Sequence, residues 1–324
     1  MPMQPYCVIV AGPTGVGKSE FAEKLAREID GEIINGDLGQ FYTPLTIGTA
    51  KPAWRRSDVA HHLFDILDSP VRFSVMAFRQ RVIALCDALW QRNKIPIIVG
   101  GSVYYIAALF FPPAAHATTI QKRIYDSELD IWKQLFAIDP VRAQEIDPHD
   151  RYRIERALDI WYSTGIKPSL YKPVYDPIAP YLFIWVNRDR DDLYHRINER
   201  VTTMMDQGWV AEVQGLLGST WEPFLQQKKI IGYPEVVAYC HSLLSQDQML
   251  EIIKKKSRNY AKRQITFWRM FRKKLEKGLN DNKKEVFDRS IIQELNLTHA
   301  PIDRYIKQLR LLIMTEIRKS IDTE

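Results

Sequence analysis

The chain has 324 residues, 46% hydrophobic and 26% charged, a globular balance that argues against disorder and allows one large domain or a core with a second lobe. Cys7, Cys86 and Cys240 stand far apart with no CxxC pair, so neither a disulfide framework nor a zinc site is indicated and a reducing cytosol fits. The formal charge of +6 matters only where basic residues gather, and they gather toward the C-terminus. Met1 to Pro5 shows no basic region leading into an apolar stretch, and no apolar run is long enough to span a membrane. The expectation is a soluble, cytoplasmic monomer without membrane contact.

Tyr6 to Ala11 is a short apolar run ending at a glycine turn, and Phe21, Ala22, Leu25, Ala26 and Ile29 follow at helical spacing. Glu32 to Asn35 reads as a second strand, and Phe78, Val82, Leu85 and Leu89 mark an amphipathic helix that Ser74 can cap. A third strand, Ile95 to Val99, ends at Gly100 and Gly101. Strands alternating with helices imply βαβ units and a parallel sheet. Pro112 and Pro113 then break the chain, and helical spacings without a clear strand run to about Ser169. Prolines 168, 173, 177 and 180 lead into Tyr181 to Val186, continuously apolar like a strand buried on both faces. Leu193, Ile197, Val201 and Met204 form the next helical stripe, with Arg196 and Arg200 on one side. The expected division is a catalytic core from 1–111 and 179–278, a helical insertion from 112–178, and an appendage from 279–324.

Gly12-Pro13-Thr14-Gly15-Val16-Gly17-Lys18-Ser19 matches GxxxxGK[ST] between a predicted strand and a predicted helix. Glycines let successive amides turn toward a phosphate, and the helix N-terminus adds partial positive charge. Lys18 supplies a mobile full charge, and Ser19 can ligate a magnesium ion bridging two phosphates. The loop alone does not decide what happens to the phosphates. Asp37 follows the second strand, so a parallel sheet brings it to the same carboxyl edge as a candidate base; a solvated turn in Asn35-Gly36-Asp37 is the plainer alternative. Ser102 could join that edge or simply cap the next helix, and Asp189 could stand in for an acidic magnesium ligand or equally be a cap. His61 and His62 lack a third ligand at metal spacing, so no structural metal is assigned. Eleven lysines and arginines from Lys254 to Lys277 share a stretch with one acid, Glu276. Tyr260, Phe267, Trp268, Phe271 and Leu275 recur there at helical spacing. Such a helix can pack its aromatics on the core and show phosphates a basic side, or be an ordinary solvated helix.

Taken in order, these motifs resemble the tRNA dimethylallyltransferase (isopentenyltransferase) family through most of the chain to about residue 275. The carriers are the loop GPTGVGKS, Asp37 to Tyr42, IGTAKP at Ile47 to Pro52, and His61 to Asp65. After these come VGGS at Val99 to Ser102, DRYRIERAL from Asp150, the arginine helix, Ile231-Gly232-Tyr233, and YAKRQITFWR from Tyr260. The resemblance implies a P-loop NTPase-like α/β core with a helical insertion domain. It implies transfer of a dimethylallyl group from dimethylallyl diphosphate to the N6 amine of the adenine on the 3′ side of the tRNA anticodon, with Mg2+. Asp37 would take the amine's proton, Ser102, where the family usually has threonine, would lie between the reacting groups, and Arg200 would help bind diphosphate. Leu38, Gly39 and Gln40 would meet the tRNA base, and Arg123, Arg153, Arg156, Lys262 and Arg263 the rest of the RNA. The chain departs from the family pattern at Leu38, Gly39 and Thr46, and in a shorter segment around Phe111 to Gln121. A small-molecule P-loop kinase, prenylation of free adenine nucleotides and an RNA-binding switch without prenyl chemistry are the rival readings; none of the three uses both the diphosphate site and the basic helix for transfer to RNA.

Overall fold

A computed structural model describes residues 3–113, 123–125, 130–171, 174–228, 230–281 and 288–319. Among them the apolar runs form a single parallel sheet. The elements begin β1 (Cys7–Ala11), α1 (Lys18–Ile29), β2 (Gly31–Asn35), β3 (His61–His62), α2 (Val75–Gln91), β4 (Ile95–Gly100) and α3 (Val103–Ala108). Next come α4 (Ile131–Ile138), α5 (Pro140–Gln144) and α6 (Arg151–Thr164), then β5 (Tyr181–Asn187) and α7 (Arg190–Asp206). The chain continues through α8 (Trp209–Gln214), α9 (Trp221–Lys228), α10 (Tyr233–Cys240), α11 (Gln246–Asp281), β6 (Ile291–Asn296) and α12 (Ile302–Lys319).

The strand order is β3-β2-β4-β1-β5-β6, every pair parallel. Because β1, β2 and β4 lie side by side, the loops leaving their carboxyl ends meet at one edge, where ligands bind in such sheets. Those loops carry the glycine-rich motif, Asp37 and Ser102. All five residues of β1 are buried, as expected of a strand covered on both faces. α1 and α12 pack together, with their apolar stripes in one cluster under the sheet.

Two compact units emerge, 3–110 with 177–319 and 111–176 within the described residues. The second has its own small core of Ile131, Leu135, Ile146, Ile154 and Leu158. The segment past Gly278, expected as an appendage, instead belongs to the first unit. Ile291–Asn296 pairs with all of Leu182–Asn187 as the sixth strand, and Ile302, Ile306, Leu309 and Ile313 join the core of α1. Its strand signal was masked because Gln293, Glu294 and Asn296 interrupt the apolar run, as edge strands allow. The two-residue strand His61–His62 was too short to read from pattern. The shortened segment around Phe111 to Gln121 lies largely outside the described residues.

A helical lobe surrounds Trp209, which is 1% exposed. A Cβ on Gly48 would fall 2.2 Å from its indole Nε1, and one on Gly232 1.9 Å from its ring. The glycines of the IGTAKP and Ile231-Gly232-Tyr233 motifs are therefore set by one tryptophan. The Glu212 carboxylate of α8 accepts from the amides of Thr46, Ile47 and Gly48 and from the Tyr233 hydroxyl, which binds the two motifs together.

α11 covers about 54 Å at the usual rise and is one continuous helix of 36 residues. Its buried stripe is Met249, Ile253, Ser257, Ala261, Gln264, Trp268, Phe271 and Leu275. Trp268 lies against the rings of Phe183 and Trp185 on β5, with centroids 4.3 and 4.4 Å away. Trp268→Ala should lower the unfolding free energy by about 3–5 kcal/mol through lost burial and the cavity left. Urea denaturation measures this, and a wild-type midpoint would show that the helix is not anchored there.

Candidate active site

The loop from Gly12 to Ser19 takes its shape from two left-handed glycines, Gly15 at φ 82° and Gly17 at φ 104°, a region side chains with a Cβ rarely enter. Gly17 delivers the chain into α1, whose first residues are Lys18 and Ser19. The first amides of a helix lack intrahelical partners and carry its positive dipole end.

Cationic side chains hold the loop's carbonyls. Lys18 Nζ donates to Gly12 O and Pro13 O, both at 3.1 Å. Arg196 Nε donates to Gly15 O at 3.2 Å, and Arg188 Nε to Val16 O at 2.9 Å. Arg200 Nη2 donates to the Thr14 hydroxyl at 2.6 Å, while its Nε is sealed from solvent without a hydrogen-bond partner. Burial pushes the Lys18 ammonium below its ordinary value, opposed by the Asp37 charge and reinforced by Arg200. Burial likewise pushes the Arg200 guanidinium down to about 10, again with Asp37 opposing. A buried and a half-buried cation whose own hydrogen bonds go to uncharged groups form a site for an anion.

Asp37 is no solvated turn. Its Oδ1 accepts from the Gly101 amide at 2.6 Å and from the Ser102 hydroxyl at 3.3 Å. The Asn35 side chain accepts from the Asp37 amide at 2.9 Å and donates to Leu63 O at 3.0 Å, so the turn is fixed at both sides. Ser102 occupies the N-cap position of α3 but makes no side-chain cap bond. Its hydroxyl accepts from the Leu38 amide at 3.0 Å and faces Asp37. Of the two readings of Ser102, the structure shows the one at the carboxyl edge.

Gln40 lines one cleft with Lys18, Ser19, Asn35, Asp37 and Phe64. Its amide nitrogen donates to Thr49 O at 3.1 Å and Ala50 O at 3.3 Å. Leu38 and Gly39 lie in the 3-10 turn Leu38–Phe41 beside Asp37, with Leu38 partly buried against the Trp209 lobe. Ser19 is exposed at that cleft. Its hydroxyl is a hard oxygen donor, and magnesium needs few protein ligands, so Ser19 fits that ion.

Asp189 stands at the N-cap position of α7 but does not cap it with its side chain. Its Oδ1 accepts from Asn296 Nδ2 at 2.8 Å and lies 3.3 Å from His299. His62 meets Glu32 at 2.7 Å and His61 meets Val59 O at 2.8 Å. Lys262 and Arg263 are exposed on α11. In the other unit, Arg153 and Arg156 are exposed on α6, and Arg123 is exposed with its guanidinium 4.3 Å from the Tyr162 ring centroid.

Three contributors were not singled out from the sequence. Gln264 accepts from the Thr14 amide at 2.8 Å and donates to Gly101 O at 2.7 Å, so α11 ties the glycine loop to the turn holding Asp37. A polar residue on an otherwise apolar stripe was the available signal. Arg188 and Asn35 gave none beyond position.

Comparison with known proteins places these features in a context. Residues 40–271 match the IPP transferase family. A tRNA dimethylallyltransferase of Geobacter sulfurreducens is 37% identical over 274 residues, covering 81% of this chain and 88% of its own. One from Lacticaseibacillus casei is 38% identical over 272 residues, with 81% and 87% covered. Among solved structures, the full-length tRNA isopentenylpyrophosphate transferase of Bacillus halodurans aligns with a TM-score of 0.66 at 28% identity, over 99% of both chains. A eukaryotic dimethylallyltransferase acting on tRNA aligns with a TM-score of 0.78 at 26% identity, over 98% of this chain and 80% of that one.

Inorganic diphosphate with magnesium should stabilise the protein, by about 2.7 kcal/mol at a hundredfold excess over Kd; thermal unfolding should show this for the wild type and not for Lys18→Ala. Both cations have folded values below their ordinary ones and must be protonated to hold the anion. Affinity should therefore fall as pH rises through the lowered Lys18 value and past about 10 for Arg200. Titration calorimetry across that range checks the sign, and constant affinity would contradict it.

Proposed function

The chain belongs to the IPP transferase family, and on that footing we propose how its site carries out the transfer. The protein is a prenyltransferase that places a dimethylallyl group on an adenine of tRNA. In our reading the donor is dimethylallyl diphosphate and the acceptor is the N6 amine of the adenine on the 3′ side of the anticodon. The observation that carries it is the pairing of two largely enclosed cations, Lys18 and Arg200, with one carboxylate, Asp37, held by Gly101 and Ser102 at the same sheet edge.

The diphosphate rests on the first amides of α1, Lys18 and Arg200. A magnesium ion on Ser19, when bound, would neutralise part of the diphosphate charge. The adenine nitrogen forms a bond to the first carbon of the dimethylallyl group as the bond from that carbon to the diphosphate oxygen breaks. Negative charge grows on the departing oxygens, where Lys18 and Arg200 act, so electrostatic stabilisation is the largest contribution. The amine proton passes to Asp37, which Ser102 and the Gly101 amide orient. Leu38, Gly39 and Gln40 bound the space where the base is held. A loop adenine is already partly unstacked, so its extrusion costs less than from a duplex.

Lys262 and Arg263 on α11 contact the tRNA backbone, as do Arg123, Arg153 and Arg156 in the insertion. No helix among the described residues is long and apolar enough to cross a membrane, and we place the enzyme in the cytoplasm as a monomer.

The deciding assay supplies labelled dimethylallyl diphosphate, magnesium, and unmodified tRNA or AMP. Label should appear in tRNA; label in neither acceptor, with ATP turned over, would overturn the reading. Asp37→Ala should lower kcat at least a hundredfold, on the order of general base loss, with tRNA Kd nearly unchanged. Removing charge at Lys262 and Arg263 should weaken tRNA binding and flatten its salt dependence by roughly one to two phosphate contacts. Equal loss of tRNA affinity in both variants would contradict the division of roles.

A further inference from the structure

Consecutive residues on a helix point about 100° apart, and the first turn of α3 uses this to separate two tyrosines. Tyr105 turns inward, packing on Phe41 and Phe78 and donating its hydroxyl to Phe73 O at 2.5 Å. Tyr104 turns outward and is 63% exposed. Among the described residues of the first unit it is the one exposed phenylalanine, tyrosine or tryptophan. Its ring is not isolated, since it meets Phe267 of α11 with centroids 5.7 Å apart and planes tilted by 57°. Phe267 in turn stacks on Phe271 at 5.8 Å.

This pair sits beside the reaction centre. Tyr104 is two residues past Ser102, whose hydroxyl faces Asp37. On α11, Arg263, Phe267 and Met270 recur at i, i+4 and i+7 along one stripe, with Arg263 and Met270 exposed. Arg263 lies 5.8 Å from the ring of Tyr260, and burial and the Asp37 charge push the Tyr260 hydroxyl up. The stripe thus runs from the neighbourhood of the carboxylate out to Tyr104, with exposed positive charge alongside.

We propose that Tyr104, backed by Phe267, is a stacking platform for an unpaired tRNA base next to the adenine being modified. The inference rests on the tRNA reading above. Extruding one nucleotide strips a neighbouring base of its stacking partner, and an aromatic ring at the mouth of the site replaces it. The cations at Lys262 and Arg263 suit the phosphates on either side of that base, which favours RNA over an apolar protein segment as the occupant.

The test uses the full chain and an anticodon stem-loop RNA, with binding measured by fluorescence anisotropy and transfer measured separately. Tyr104→Ala should weaken RNA binding and raise the KM for RNA about tenfold. The KM for dimethylallyl diphosphate and the salt dependence of binding should stay as in the wild type. Tyr104→Phe and Tyr104→Trp should restore affinity, and Tyr104→Leu should not. Removing the base on one side of the target adenine should cost the wild type a similar factor and cost Tyr104→Ala nothing more. Unchanged binding in Tyr104→Ala overturns the proposal, as does rescue by leucine or an equal loss for every abasic RNA. Concentration-dependent dimerisation that Tyr104→Ala abolishes would assign the patch to a second copy instead. Binding alone decides the role of Tyr104, so absence of prenyl transfer would defeat the functional reading without touching this one, whereas RNA that does not bind at all defeats both.

Discussion

One buried cation and one half-buried cation, with one carboxylate across from them, are the constraint around which the first unit is arranged. Lys18 and Arg200 are costly to bury charged, and neither is neutralised by a contacting carboxylate. Asp37 acts on both through space and is itself committed to Gly101 and Ser102. Had Asp37 closed onto Lys18, the stability gained would have come at the expense of the anion site. The Asn35 side chain and the Gly101 amide keep the charges apart.

The supports come from distant parts of the sequence. Arg188, just past β5, and Arg196 of α7 hold the loop carbonyls, and Gln264 reaches the Thr14 amide from α11. Trp268, one turn further along α11, fixes the helix against β5. The helix that carries exposed lysines and arginines is thus the same rigid body that braces the glycine loop. The exposed cations Lys262 and Arg263 and the buried residues Gln264 and Trp268 are fixed relative to each other by one continuous helix, within seven residues.

Much of this was legible because its causes are local. The run Tyr6 to Ala11, the glycine loop and the stripe Phe21 to Ile29 each state their own structure, and parallel topology then brings Asp37 to the loop. What stayed hidden depends on contacts across the chain. Ser102 can cap a helix or face Asp37, and only the proximity of β2 to β4 decides it. Gln264 reads as an ordinary helix residue until Thr14 is opposite it. For β6, Gln293, Glu294 and Asn296 hide the strand, since an edge position tolerates polar groups that a central strand would not. Tyr104 was passed over because one of two adjacent tyrosines had to face outward, and sequence does not say which.

The sixth strand also has a temporal consequence. Leu297, just after β6, accepts from Arg188 Nη1 at 3.3 Å, and Thr298 donates to Asp192, which pairs with Arg188 at 2.8 Å. Arg188 is the residue that grips Val16 in the glycine loop, so a motif at the start of the chain is completed by residues some 280 positions later. During synthesis the sheet would pass through a stage in which β5 is an open edge and Arg188 lacks these partners. Vectorial folding therefore leaves the grip of Arg188 on the glycine loop without its Leu297 contact until the residues after β6 have been made.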